Sequence, residues 1–209
     1  MAKRHTGLDQ DLVVAVNALR RTSAKMKKLI DACPVPAYRP TRNTFRSLAR
    51  AIVYQQLSTK AATTIYRRFV GLFPERAFPR PIDVKNTSVA KLRSAGLSKA
   101  KTAYIKDLAN FYLDGRIKPN RFRKMSDLEV GEVLLPVKGI GQWSVDMFLI
   151  FALGRRDVLP VGDLAIRKGM MMHFGLVEEP SGPKMYKLAK PWEPYRSVAS
   201  WYMWRRTEL

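Results

Sequence analysis

A stretch between Ser126 and Trp143 leaves this chain few folds to choose from. Ser126 followed by Glu129 reads as a capping box, which predicts a short helix over Asp127 to Leu134 that Pro136 then stops. Beyond it, Leu135-Pro136-Val137-Lys138-Gly139-Ile140-Gly141-Gln142-Trp143 places two glycines around one apolar residue. Such glycines allow φ > 0 and a close approach to whatever lies outside, and a second helix is expected from Trp143 to about Leu153. Helix, glycine hairpin, helix is the pattern. Amides exposed in that turn, at the positive end of the second helix, suit a phosphate whatever the base sequence beside it. A Gly-x-Gly is equally an ordinary helix C-cap and turn, so on its own the segment leaves both readings open.

The rest of the chain repeats the helical period. Leu12, Val13, Val16 and Leu19 mark one apolar face, and Phe45, Leu48, Ala49, Ile52 and Val53 mark another after a cap at Thr44. Ser58 starts a further helix carrying Ala61, Ala62, Ile65, Tyr66 and Phe69; a short helix ends at Gly96, and Ala100, Tyr104, Leu108 and Phe111 form the next stripe. A last helix is expected over about Pro194 to Arg205. No run alternates long enough to require a sheet, so the expected fold class is all-α.

Charge narrows the partner. Lys and Arg number 38 against 17 acids, a net charge of +21, which exceeds what solubility asks for and points to a polyanion. Between Asp31 and Glu75 there is no acid, while Arg39, Arg42, Arg46, Arg50, Lys60, Arg67 and Arg68 all fall there; singly each is a solvated helix position, together they suggest a DNA-facing side. An anionic membrane would call for a basic amphipathic helix or a lipidation signal, and neither is evident. With no apolar span and no signal-peptide core, a soluble intracellular protein is expected, in the nucleoid-containing cytoplasm of a prokaryote or the nucleus of a eukaryote. Cys33 stands alone and the histidines are His5 and His173, so neither a disulfide framework nor a zinc or iron–sulfur site is expected.

After the second hairpin helix comes Gly154-Arg155-Arg156-Asp157-Val158-Leu159-Pro160-Val161-Gly162-Asp163, and then a helical run from Leu164. On local sequence Asp163 is a helix N-cap. The block LPVKGIGQWSVDMFLIFALGRRDVLPVGDLAIRKG, however, resembles the helix-hairpin-helix plus Gly/Pro...Asp signature of the DNA glycosylase superfamily. Within that superfamily the chain is most similar to the 3-methyladenine DNA glycosylase II family, through the segments Ala51 to Phe69, Leu92 to Ala109 and Pro191 to Arg205. The similarity is to a compact form without the N-terminal sheet domain of longer members, and it implies two helical lobes with the active site in the cleft between them. The implied lobes within one unit of residues 1–209 are approximately 38–152, which carries the hairpin, and 1–37 with 153–209.

The resemblance assigns roles residue by residue. It makes Asp163 the catalytic carboxylate, and a helix N-terminus suits that role as well as it suits a cap. It makes Lys138, Gly139, Ile140 and Gly141 the DNA-binding hairpin, with a monovalent cation there that the sequence neither requires nor forbids. Tyr54-Gln55-Gln56-Leu57-Ser58 becomes the junction facing DNA, where Gln56 or Leu57 is the candidate wedge for the gap left by an extruded nucleotide; alternatively these glutamines tie a helix end to its neighbour. Bifunctional relatives carry a lysine nucleophile two residues beyond the second hairpin glycine, and here that residue is Trp143. Trp143, Trp204, Trp201 and Tyr54 are the candidates for a base pocket, with Trp204 the best match; as plain core aromatics they would look the same. Asp146 reads as helix surface or a structural ion pair.

The expectation is therefore a monomeric, monofunctional DNA glycosylase of base excision repair, free of organic cofactor and metal. It would act on double-stranded DNA, hydrolysing the N-glycosidic bond of alkylated purines such as 3-methyladenine and 7-methylguanine. A glycosylase for hypoxanthine or ethenoadenine and a non-catalytic helix-hairpin-helix DNA-binding protein are the alternatives.

Overall fold

A computed structural model of the protein describes residues 6–38, 40–41 and 43–209, with side chains from residue 10 onward. His5, Arg39 and Arg42 lie outside the described residues. Among those described the chain is helical without a strand, as the periodicity predicts. The α-helices are α1 (Thr6–Arg20), α2 (Ala24–Ala32), α3 (Thr44–Tyr54), α4 (Thr59–Gly71), α5 (Pro81–Asn86), α6 (Val89–Ser94) and α7 (Lys99–Leu113). There follow α8 (Asp127–Leu134), α9 (Gln142–Met147), a π-helix over Phe148–Leu153, α10 (Leu164–Phe174), α11 (Gly182–Leu188) and α12 (Arg196–Arg206). No described helix is long and apolar enough to cross a membrane. The chain divides into two compact units, one of Thr41–Phe148 and one of Met1–Pro40 with Leu149–Leu209.

In the first of these, α7 is the central helix, packed by α3 and α5. The predicted α3 face of Phe45, Leu48, Ala49, Ile52 and Val53 is wholly buried. Burial of apolar surface on this scale contributes most of the stabilisation of such a unit. Two local expectations are corrected. The cap of α3 is Asn43, whose Oδ1 accepts from Arg46 N at 2.9 Å, while Thr44 is already helical and its Oγ1 accepts from the buried Tyr112 hydroxyl at 2.8 Å. On α7 the buried stripe is Thr102, Ile105, Leu108, Ala109 and Phe111, and Ala100 is exposed, because Ser98 starts the helix and its first turn points outward.

The second unit is built on α10 against α12. They approach so closely that a Cβ on Gly169 would lie 2.1 Å from the Met203 carbonyl oxygen, a contact only glycine allows. Ile166 and Met170 of α10 meet Val198, Ala199, Tyr202 and Met203 of α12 in one buried cluster, which Ala15, Val16 and Leu19 of α1 complete. Val13 belongs to the exposed face of α1, one position out of phase with that stripe. The final helix starts at Arg196, two residues later than expected, since Tyr195 N donates to Trp192 O at 2.7 Å in a preceding turn.

Candidate active site

The hairpin is assembled locally and then locked from a distance. Glu129 Oε2 accepts from Ser126 N at 2.6 Å while Ser126 Oγ accepts from Glu129 N at 3.2 Å, so the capping box forms and α8 covers the predicted residues. The chain then turns through Val137 N donating to Leu134 O and Ile140 N donating to Val137 O, each at 3.0 Å. The two glycines differ. Gly139 has φ +80°, and a Cβ there would fall 2.2 Å from the ring of Tyr104. Gly141 is the N-cap of α9 with an ordinary φ of −106°, and a Cβ on it would meet nothing within 4 Å. The expectation of φ > 0 therefore holds at Gly139 alone, and Gly141 supplies open space.

The hairpin amides are sorted as well. Lys138 N donates to Asp107 Oδ2 at 2.9 Å and the buried Ile140 is held in the turn, whereas no acceptor among the described residues pairs with the amides of Gly139 and Gly141. These two are the donors the hairpin leaves unengaged.

Gln55 settles one alternative at the junction. Its Nε2 donates to Gly139 O at 2.7 Å, so Gln55 is the tie between the end of α3 and the hairpin. Lys101 reinforces it: Nζ donates to the carbonyls of Val53 and Gln55 at 2.8 and 2.7 Å, satisfying orphan acceptors at the C-terminus of α3. Burial lowers the ammonium pKa of Lys101. Gln56, by contrast, is exposed and held at φ +53°, the left-handed region that a Gln rarely adopts, and Leu57 beside it is also exposed.

Of the pocket candidates in this unit, Trp143 stands on the first turn of α9 with 39% of its surface exposed. Tyr54 is tied to Thr63 at 3.1 Å between hydroxyls, with the Arg50 guanidinium 4.1 Å above its ring; the Thr63 bond and then Arg50 hold the phenol below its ordinary pKa. Arg46, Arg50, Lys60, Arg67 and Arg68 are all exposed. Asp146 does not lie on the helix surface. It is buried and accepts from Gln142 Nε2 one helical turn away at 2.8 Å.

The other unit holds Asp163. The segment leaving α9 is a π-helix, whose wider turn re-aims side chains relative to an α-helix; Arg155 N closes it on Leu149 O at 2.9 Å. Ser197 Oγ then receives Val158 N at 2.9 Å and donates to Arg155 O at 2.7 Å, and Asp157 pairs with Arg196 through two bonds of 2.8 Å. The loop ends with Asp163 N donating to Pro160 O at 3.0 Å. Asp163 caps α10, Oδ1 accepting from Ile166 N at 2.9 Å, and the same oxygen accepts from Trp204 Nε1 at 3.1 Å. The carboxyl group is only 8% exposed as a residue, so both bonds form in a site of reduced dielectric, where they are strengthened.

Trp204 is thus the pocket candidate that meets the carboxylate. Its indole stacks on Phe151 at 5.7 Å between centroids, and Phe151 receives Tyr38 edge-on at 5.3 Å. Burial pushes the Tyr38 phenol up to about 12, so its hydroxyl stays protonated. Trp201, one turn earlier on α12, lies under the Arg205 guanidinium at 4.9 Å and contributes no bond to Asp163. Trp192 is a core residue. Phe151, Tyr38, Tyr104, Asp107 and Lys101 escape sequence reasoning, because each acts through a partner distant in the chain and none carries a local signature. Among the described residues no group of His, Cys, Asp and Glu could hold a metal ion.

Residues 49–194 match the model of the HhH-GPD superfamily of base excision DNA repair proteins. The chain belongs to this superfamily. It is 34% identical to DNA-3-methyladenine glycosylase 1 of Schizosaccharomyces pombe over 178 residues, 82% of this chain and 78% of that protein. Among solved structures it is similar to the S. pombe 3-methyladenine DNA glycosylase Mag1 in complex with abasic DNA, with a TM-score of 0.81 and 34% identity over 94% of this chain and 97% of that one. A DNA-3-methyladenine glycosidase from Bacillus halodurans gives a TM-score of 0.79 at 35% identity, over 91% of this chain and 88% of that one. In this HhH-GPD protein the hairpin, the Gln55–Leu57 junction and Asp163 fall inside the matched residues, whereas Tyr38 and Trp204 lie outside them.

Proposed function

We propose that this HhH-GPD protein is a monofunctional DNA glycosylase that removes alkylated purines and leaves an abasic site. The observation that carries the reading is the Asp163 carboxylate, buried and fixed through one oxygen by Ile166 N–H and Trp204 N–H, in a chain whose relatives are named as 3-methyladenine glycosylases. Breaking a purine N-glycosidic bond develops positive charge on the sugar, which a preorganised carboxylate near C1′ stabilises while orienting or deprotonating water. Protonation of the leaving group is unnecessary when the base already carries positive charge, so one carboxylate suffices for a 3-methyladenine or 7-methylguanine. Trp143 at the position where a lysine would form a Schiff base supports water as the nucleophile and the absence of lyase activity.

DNA would be gripped through the Gly139 and Gly141 amides, with Gln56 or Leu57 entering the gap. The test is release of free base from duplex DNA treated with a methylating agent. Wild type should release methylpurines and yield strand breaks only after alkali; Asp163→Asn should keep DNA affinity and lose release by about 10³-fold, the scale of removing a principal electrostatic stabiliser. Tight binding with no release by wild type would favour the passive DNA-binding reading.

A further inference from the structure

At the opposite end of α10 from Asp163, about 15 Å along the helix at ~1.5 Å per residue, a cavity opens that the glycosylase reading does not use. Lys25, Lys28 and Leu29 of α2, Met172 and His173 of α10, Arg206 of α12 and Leu209 beyond it line it, and it encloses about 300 Å³. That volume is at the lower end of ligand-sized pockets and ample for one apolar side chain.

No acidic side chain lines the cavity. Lys25 and Lys28 occupy the first turns of α2, the positive end of a helix, where acids are favoured and where α2 carries none. The acids that follow on the same segments are engaged with other cations: Asp31 with Arg20 and Lys27, each at 2.7 Å, and Glu208 with Arg205. Among the described residues no ion pair includes Lys25, Lys28 or Arg206. Buried His173 offers no anion either; burial first, then Lys25 and Arg206, push its imidazole down to about 4. Cationic side chains gathered around an apolar lining with no acidic side chain among them attract an anionic partner.

Two polyanions could answer, and the shape distinguishes them. Nucleic acid meets an open cationic face with its phosphates and an aromatic platform with its bases. Here the cations rim a concavity floored by Leu29 and Met172, and the one ring, His173, is already engaged by Phe174 and Trp192 at 4.9 and 6.0 Å between centroids. An apolar side chain flanked by carboxylates fits both features at once. We propose that this cavity docks an acidic peptide segment of a partner protein, one apolar side chain entering against Leu29 and Met172 and its flanking carboxylates pairing with Lys25, Lys28 and Arg206.

The probe is a fluorescently labelled peptide, Asp-Glu-Asp-Leu-Asp-Glu-Asp, and its equally charged counterpart with Ser in place of Leu, followed by anisotropy at physiological salt. The Leu peptide should bind about tenfold more tightly, the value of burying one such side chain, and should shift the Met172 methyl resonance. Lys25→Glu/Lys28→Glu should abolish binding of both peptides, and Met172→Glu should remove the preference for Leu, with circular dichroism showing both variants folded. Equal affinity of the wild type for the two peptides, binding that survives Lys25→Glu/Lys28→Glu, a preference for Leu that survives Met172→Glu, or no binding at all would overturn the proposal. So would displacement of the Met172 methyl shift by a duplex oligonucleotide, which would assign the cluster to DNA. None of these outcomes depends on base release, so the docking proposal and the glycosylase reading stand or fall separately.

Discussion

The hairpin at Leu135–Gly141 and the loop at Gly154–Asp163 are both glycine-bearing turns that deliver a helix N-terminus, yet they are held in different ways. In the hairpin the main chain itself is the object held. Tyr104 fills the space beside Gly139, Asp107 takes the Lys138 amide and Gln55 takes the Gly139 carbonyl. In the loop the object held is a side chain, Asp163, fixed by its own helix and by one indole from α12. A turn that presents its main chain has to be locked from around it, since it has no side chain to adjust; the loop is locked upstream, by Ser197 at Arg155 and Val158 and by Arg196 at Asp157, and is open beside Gly162.

That contrast can be broken most severely at Gly139. Gly139→Ala imposes the cost of a non-glycine residue at φ +80° and drives a Cβ into the Tyr104 ring. The expected loss is about 3 kcal/mol in urea unfolding, with DNA affinity falling alongside. Next comes Gln55→Ala, which leaves the Gly139 carbonyl without its side-chain donor and should cost about 1–2 kcal/mol; DNA affinity measured by anisotropy should weaken while single-turnover base release at saturating protein holds. Trp204→Phe tests the other turn. It keeps an aromatic ring against Phe151 but removes the N–H donor to Asp163, so base release should slow by about tenfold, the worth of one hydrogen bond to a charged group, with affinity unchanged. The smallest effect belongs to Gly162→Ala, where φ is not positive and a Cβ meets nothing within 4 Å. Unfolding should move by less than ~0.5 kcal/mol, and a large loss there would show that the loop is as tightly determined as the hairpin.

Much of this was legible in the sequence wherever the cause was local. The Ser126–Glu129 box, the burial of the α3 face and the Asp163 cap all follow from residues within one or two turns of each other, and all three are present. Local chemistry also misleads by a fraction of a turn: Val13 and Ala100 obey the right period with the wrong phase, and the cap read at Thr44 falls one residue earlier, at Asn43. What the sequence could not show is which glycine needs its freedom, since Gly139 is set apart from Gly141 by a positive φ and by Tyr104, far back on α7. The surface reading of Asp146 failed for a related reason. A carboxylate on a short helix reads as surface unless the reader knows that Gln142, on the same face, covers it. The link from Trp204 to Asp163 joins residues on α12 and at the start of α10, and the stack of Phe151 and Tyr38 behind it has no signature in the apolar run FLIFAL.

The bond from Gln55 to the Gly139 carbonyl, with Lys101 anchoring the backbone behind it, also determines when disorder is lost. Ordering a backbone residue costs about 1–2 kcal/mol of conformational entropy at room temperature, and here the junction at Gln55 and the hairpin are ordered together as the unit folds. In the proposed function, little of that cost remains to be met on association, and this surface meets DNA as a preformed template whose affinity is set by contacts and released counterions.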